Sequence, residues 1–315
     1  MGQQRSKMRA EEKIIFLLES AKERGVLQSE IARKLNLSKS TVSEILSQLE
    51  EKKIVYREEI SNKSYRVWCV KHCPKPVKGV LRLGFLRASE YAKVVDAGEK
   101  VGAIFKIYRN SLEATRDLVH GCVDILASPF ITQLFFGVLM KNIKIFRVVA
   151  MNGSGIAFSG GKGYGCSEFS TMERMLRKYL KVKGLKEDIK FFESPEDMIS
   201  DFRKLKGIAI WEPYLSTFSE VEHFSETLGD FICCSLAVNE EFLSMNQDLF
   251  EDFIKYYDKA SADRGAKRIA ELLDFPEEAV RKSLSSYIFD AGIEEAKREA
   301  NELGFGRIED VLYFY

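Results

Sequence analysis

The segment QSEIARKLNLSKSTVSEILSQLEEKKIV, residues 28–55, constrains the fold more than any other stretch of this 315-residue chain. Its pattern predicts a short helix over residues 29–35, a polar turn Asn36-Leu37-Ser38 and a longer helix over residues 39–52. In the longer helix Val42, Ile45, Leu46 and Leu49 fall at i, i+3, i+4 and i+7, so they form one apolar stripe. Lys39, Ser40, Thr41, Ser43, Glu44, Ser47 and Gln48 occupy the opposite face. Short polar side chains near the start of such a helix suit the edges of bases in the major groove. A helix-turn-helix with double-stranded DNA as its partner is the expectation.

The flanks extend the motif. Ile14, Ile15, Leu17 and Leu18 give an apolar face to a helix expected over residues 10–23, with Gly25 as its stop. Two β-prone runs, residues 54–60 and 65–70, flank the turn Ser61-Asn62-Lys63-Ser64 and read as a hairpin. Three helices and a hairpin make a winged helix, and residues 1–72 resemble the MarR-type and related winged-helix regulators. That resemblance implies DNA contacts from Ser38, Lys39, Ser40, Thr41 and Ser43, with Lys63 at the wing tip. Lysine and serine there would hold phosphates, while Thr41 and Ser43 are better placed for bases. Plain N-capping of the recognition helix is the competing role for Ser38.

Charge supports the division. Net charge is +1, yet residues 1–78 hold 17 Lys and Arg against 10 Asp and Glu, and the remainder holds 31 against 37. A basic head on an acidic body suits DNA binding confined to the head. No apolar run reaches membrane-spanning length and the N-terminus lacks a signal-peptide core, so a cytoplasmic location with no membrane partner is expected. The six cysteines read as reduced thiols. Cys69, His72 and Cys73 lack a matching second pair, and Cys233-Cys234 reads as strand core, so neither a metal nor a cofactor is expected.

CVKHCPKPVKGV marks a stiff linker at residues 73–79. Beyond it, strands over residues 80–86, 103–108 and 123–127 alternate with helices over 88–100 and 111–120, a βαβαβ pattern that calls for a parallel sheet. A second series follows, with strands at 163–166, 189–192 and 207–211, and helices at 171–180 and 195–204 capped by Ser170 and Ser194. The tail from residue 239 reads as mostly helical.

The ordered phrases LRLGFL, SLEATRDLVHGCVDILASP, GCSEFSTMERMLRKYLKVKGL, FFESPEDMISDFRKLKGIAIWEPYLS and LAVNEEFLSMNQDLFEDFIKYYDKA resemble type II periplasmic-binding proteins of the nitrate, sulfonate and thiamine-precursor kind. The expected fold class is therefore α/β, a winged helix followed by a two-lobed periplasmic-binding-like domain over residues 80–315. The resemblance implies lobe one from residues 80–152 and 232–315, lobe two from 153–231, and a ligand cleft between them.

Ligands of open parallel sheets sit at the carboxyl ends of strands and near helix N-termini. That rule selects Arg87, Ser89 and Tyr91, then Ser128 and Phe130, then Asn152 and Ser154 at the expected crossover, then Ser170 and Thr171, and finally Trp211, Glu212 and Tyr214. Arg87 and free helix-start N–H groups suit an anionic group, and the aromatics suit a flat or apolar part. Each has a plainer role open to it: capping for Ser170, core for the aromatics, and pairing with Glu90 or Glu212 for Arg87. The glycine-rich GSGIAFSGGKGYG lacks the spacing of a phosphate loop.

These readings combine into a regulator in which a small effector, anionic or heterocyclic, modulates operator binding by a homodimer. The order of parts is similar to LysR-type regulators, without their linker helix. Two alternatives stay open. Some proteins of this fold are enzymes, namely menaquinone-pathway lyases and thiamine-pyrimidine synthases. Against catalysis, the chain has three histidines, no nucleophile–base motif, and nothing like the cysteine-rich iron motif of those synthases. A winged helix serving as an assembly module without ligand is the other.

Overall fold

A computed structural model of the chain describes residues 9–289, 291–306 and 308–313. The chain forms two compact units, residues 1–80 and 81–315.

In the first unit, α1 (Ala10–Ala21) ends in a single 3-10 turn, and β1 (Val26–Leu27), α2 (Gln28–Leu35), α3 (Lys39–Glu51), β2 (Val55–Ser61) and β3 (Ser64–Cys69) follow. The sheet order is β1-β3-β2, so the wing is a three-stranded sheet rather than a bare hairpin. The two-residue β1 carries too few residues for a strand signal in the sequence. Gly25 lies at φ +59°, and a Cβ there would meet the Trp68 ring at 2.6 Å. The same indole donates from Nε1 to the Glu23 carbonyl at 2.9 Å, so Trp68 holds the wing to the end of α1. Asn36, left-handed at φ +53°, turns the chain between α2 and α3. Val42, Leu46 and Leu49 are fully buried with Ile14, Leu18, Ile31 and Val67, and Ile45 packs at the margin of this core.

The second unit begins with β4 (Arg82–Leu86), α4 (Ala92–Lys100), β5 (Ile104–Tyr108), α5 (Ser111–Val119), β6 (Ile125–Pro129), α6 (Phe130–Met140) and β7 (Ile143–Asn152). The chain then enters a second sheet through β8 (Ser154–Phe158), β9 (Tyr164–Ser167), α7 (Thr171–Val182), β10 (Ile189–Phe192), α8 (Pro195–Ser200), β11 (Gly207–Trp211), β12 (Val221–His223) and α9 (Phe224–Leu228). It returns through β13 (Ile232–Asn239) and ends with α10 (Glu240–Met245), α11 (Gln247–Lys259), α12 (Ala262–Leu273), α13 (Glu277–Ser283), β14 (Tyr287–Ile288) and α14 (Ile293–Glu302). The first sheet has the order β14-β7-β13-β6-β4-β5, the second β10-β9-β11-β8-β12. β4, β5 and β6 run parallel, and β13 lies antiparallel between β6 and β7.

The two crossings lie side by side. Asn152 N donates to the Phe231 carbonyl at 3.0 Å, Asn152 Nδ2 to Asp230 at 2.7 Å, and Phe231 N to Asn152 Oδ1 at 3.3 Å. Gly153, at φ +71°, follows at once, and a Cβ there would overlap the Tyr287 ring. The α6 and β7 elements have no counterpart in the sequence reading, because their near-continuous apolar runs carry neither period clearly.

Beneath the first sheet, Arg82 and Asp124 form a fully buried ion pair at the start of β4 and β6. Asp124 accepts from Arg82 N at 2.7 Å, Nε at 2.9 Å and Nη2 at 2.6 Å, and Nη2 also donates to the Gly121 carbonyl. Removing one partner strands a charge in the core. Arg82→Met is expected to lower unfolding free energy by about 3–5 kcal/mol in urea denaturation; an unchanged midpoint contradicts this account of the pair.

Candidate nucleic-acid interface and candidate ligand cleft

Ser38 is the N-cap of α3, its hydroxyl accepting from Thr41 N at 3.0 Å and lying 2.8 Å from both Ser40 Oγ and Thr41 Oγ1. Ser38, Lys39, Ser40 and Thr41 are exposed and Ser43 is half-buried. Lys63 sits exposed at the wing turn with φ +62°, its backbone N–H held by Glu59. Lys39 and Lys63 line one groove together with Gln28, Ser29, Ser64 and Tyr65. Gln28 and Ser29, at the start of α2, are additions to the sequence-based set. The helix-start position was readable, but its approach to the wing depends on tertiary packing. On the far side of α3, Arg57 Nε donates to Glu50 at 2.8 Å, so this cation is engaged within the unit.

In the second unit a narrow cavity of about 30 Å³, or about 460 Å³ with the open solvent at its mouth counted, lies where strand ends of the two sheets meet. Leu86, Pro129, Ser167 and Trp211, the last residues of β4, β6, β9 and β11, line it. The N-terminal ends of α5 (Asn110, Ser111) and α7 (Ser170, Thr171) face it from opposite sheets. Their partial positive charge favours an anionic group between them. The caps themselves are engaged: Asn110 Oδ1 accepts from Glu113 N and Ser170 Oγ from Glu173 N. Arg109 and Glu193 are the exposed charges at the rim.

Four of the twelve ligand residues chosen from sequence line this cavity: Tyr91, Ser170, Thr171 and Trp211. Thr171 Oγ1 donates to the Cys233 carbonyl at 2.9 Å, joining α7 to β13 across the cavity wall. Trp211 Nε1 donates to the Arg87 carbonyl at 2.7 Å, leaving the indole face as wall.

The other eight are placed elsewhere. Arg87 turns away, donating to Tyr214 Oη at 3.0 Å and the Leu273 carbonyl at 2.7 Å and pairing with Glu196 at 3.0 Å. Tyr214 also donates to Glu196, and burial pushes its hydroxyl up to about 12. Ser89 bonds Ser283, and Ser128 accepts from Gln133. Phe130 is core. Asn152 ties the crossings together. Ser154 is buried, and its hydroxyl has no partner among the described residues. Glu212 accepts from Ser216 N at 3.0 Å and Ser216 Oγ at 2.9 Å. Arg87 is half-buried and engaged outside the cavity, and the side chains of Ser89, Ser128, Phe130, Asn152, Ser154, Glu212 and Tyr214 are buried away from it.

The sequence reading missed the floor. Glu90, 1% exposed, and the thiols of Cys233 and Cys234 line the cavity beside Tyr91. Cys234 Sγ donates to Glu90 Oε1 at 2.6 Å and lies 3.0 Å from Tyr91 Oη. Burial raises the Glu90 carboxyl above its ordinary range, and neighbouring thiol and phenol groups offset this only partly. The CC pair in an apolar run was the available signal.

Residues 14–62 match the model of the MarR family. The search of curated proteins returned no match. Among solved structures, the chain is similar to the ligand-binding component of an ABC-type import system from Staphylococcus aureus, determined with zinc bound, at TM-score 0.64 and 15% identity over 75% of this chain and 96% of that one. It is also similar to the alkanesulfonate-binding protein SsuA from Xanthomonas axonopodis pv. citri bound to MOPS (TM-score 0.57, 14% identity, 73% and 92% covered). A third is the periplasmic nitrate-binding protein NrtA from Synechocystis PCC 6803 (0.53, 13%, 66% and 71%). The N-terminal domain is thus a MarR-family helix-turn-helix, and the second unit has the type II periplasmic-binding fold. Among the described residues no helix is long and apolar enough to cross a membrane.

Thr171→Val removes the donor to Cys233 and leaves a buried carbonyl without it. A loss of about 1–3 kcal/mol in denaturant unfolding is expected, and a loss below about 0.5 kcal/mol contradicts a bond that matters.

Proposed function

We propose that the chain is a ligand-responsive DNA-binding transcriptional regulator whose small effector binds the cavity between the two sheets. The observation that carries this reading is the pairing of a MarR-family recognition helix, its polar face exposed, with a binding-protein fold whose strand ends enclose a cavity. Ser38, Lys39, Ser40, Thr41, Ser43 and Lys63 are the assigned DNA contacts, with Gln28 and Ser29 added from the groove. A homodimer on a two-fold operator is the assembly such a head uses.

The effector is a small polar molecule with an anionic end and a flat or apolar end. The helix starts at Ser111 and Thr171 receive the first, and the Trp211 indole the second. Arg87 is assigned no part in it, since its guanidinium is engaged outside the cavity.

Two measurements test this. Binding of the protein to genomic fragments is expected to fall steeply with salt and to drop at least about tenfold in Lys39→Ala/Thr41→Ala, while Lys63→Ala lowers the salt slope by about one. Wild-type binding by the double variant removes the recognition-helix assignment. A thermal-shift screen of small carboxylates, sulfonates and anionic heterocycles is expected to find a stabilising compound whose shift Trp211→Ala abolishes. A full shift in that variant places the effector elsewhere.

A further inference from the structure

Neighbouring residues of a β-strand point to opposite faces, yet Cys233 and Cys234 both line the cavity. The pairing of β13 with β7 explains this. Ile232 pairs with Met151 and Cys234 with Ala150, so Cys233 is an extra residue between two consecutive partners. Such a bulge re-aims a side chain, and it leaves the two sulfurs 3.5 Å apart. Two thiolates on one tetrahedral ion stand about 3.8 Å apart, given metal–sulfur bonds of about 2.3 Å.

The third member is Glu90. Its Oε1 is 2.6 Å from Cys234 Sγ and 3.6 Å from Cys233 Sγ. Its Oε2 is buried with no close hydrogen-bond partner among the described residues, although the Tyr91 and Tyr287 phenols lie beside the carboxyl. Among the described residues this is the one group of three or more histidine, cysteine or acidic side chains whose ligand atoms all lie within 4.8 Å of one another.

We propose that Glu90, Cys233 and Cys234 form a binding site for a soft, thiophilic divalent cation of the Zn²⁺ or Cd²⁺ type. Thiolate ligands select such ions over Mg²⁺ or Ca²⁺. One ion replaces the two thiol protons, which leave to solvent, so the charge of the buried site is unchanged. Glu90 supplies an oxygen as third donor. A fourth position faces the cavity, which makes the site open rather than closed. The bulge in a crossing strand is what brings the donors together, so occupancy bears on the element that links the two sheets.

The test uses the full-length reduced protein and Cd²⁺ alone. Equilibrium dialysis is expected to give one tight ion per chain, with a thiolate-to-metal charge-transfer band and release of about two protons per ion in calorimetry across buffers of different ionisation enthalpy. Cys233→Ser and Cys234→Ser are each expected to weaken binding by more than about tenfold, and Glu90→Gln by less, with excess Mg²⁺ not competing. The proposal is overturned if the wild-type protein binds no Cd²⁺. It is equally overturned if Cys233→Ser/Cys234→Ser keeps full stoichiometry, which places the ion on other cysteines. The wild-type band and proton count need no variant to fold.

Discussion

The second unit depends on one constraint: the chain passes between its two sheets twice, and both passages lie at the same place. Asn152 holds them together with backbone and side-chain hydrogen bonds to Phe231 and Asp230. With the connections paired there, each sheet can present its strand ends to the other, and the space between becomes a cavity rather than a packed interface. Gly153 allows the first passage to turn beneath Tyr287. β13 then runs antiparallel between β6 and β7, so the returning strand forms the floor of the cavity and the centre of the first sheet at once.

That double duty explains the chemistry of the floor. A central strand is buried on both faces, and polar groups along it must find partners. Ser235 does so through Gln133, which also bonds Ser128 and the Leu126 carbonyl. Beside the bulge, Glu90 accepts from Cys234 on one oxygen, and its other oxygen has no close hydrogen-bond partner among the described residues.

How much was legible in the sequence follows from how local each feature is. The α2–turn–α3 segment reads directly because its period, cap and αL turn lie within two dozen residues, and Val42, Leu46 and Leu49 are buried as their spacing predicts. The alternating strands and helices of the second unit read for the same reason. α6 and β7 did not, since runs such as FITQLFFGVLM are apolar on every face, and of β13 only the Cys233-Cys234 run read as strand core. Strand ends point to the right neighbourhood for a site, and Tyr91, Thr171 and Trp211 line the cavity. They do not say which of two adjacent side chains turns inward: Glu90 rather than Ser89 faces the cavity, and Arg87 is drawn off by Tyr214 and Glu196. Cys233 shows the limit most clearly, because a bulge reverses the direction that alternation would assign.

Under the proposed function, the state of the cavity sets the affinity of the N-terminal head for DNA. The most direct measurement fills the cavity without touching that head: Met172→Trp, on the α7 wall, compared with wild type in binding isotherms on a selected genomic fragment at fixed salt. The account predicts a change in affinity of about fivefold or more, with melting of the first unit unaltered. Identical isotherms for the two proteins would contradict it.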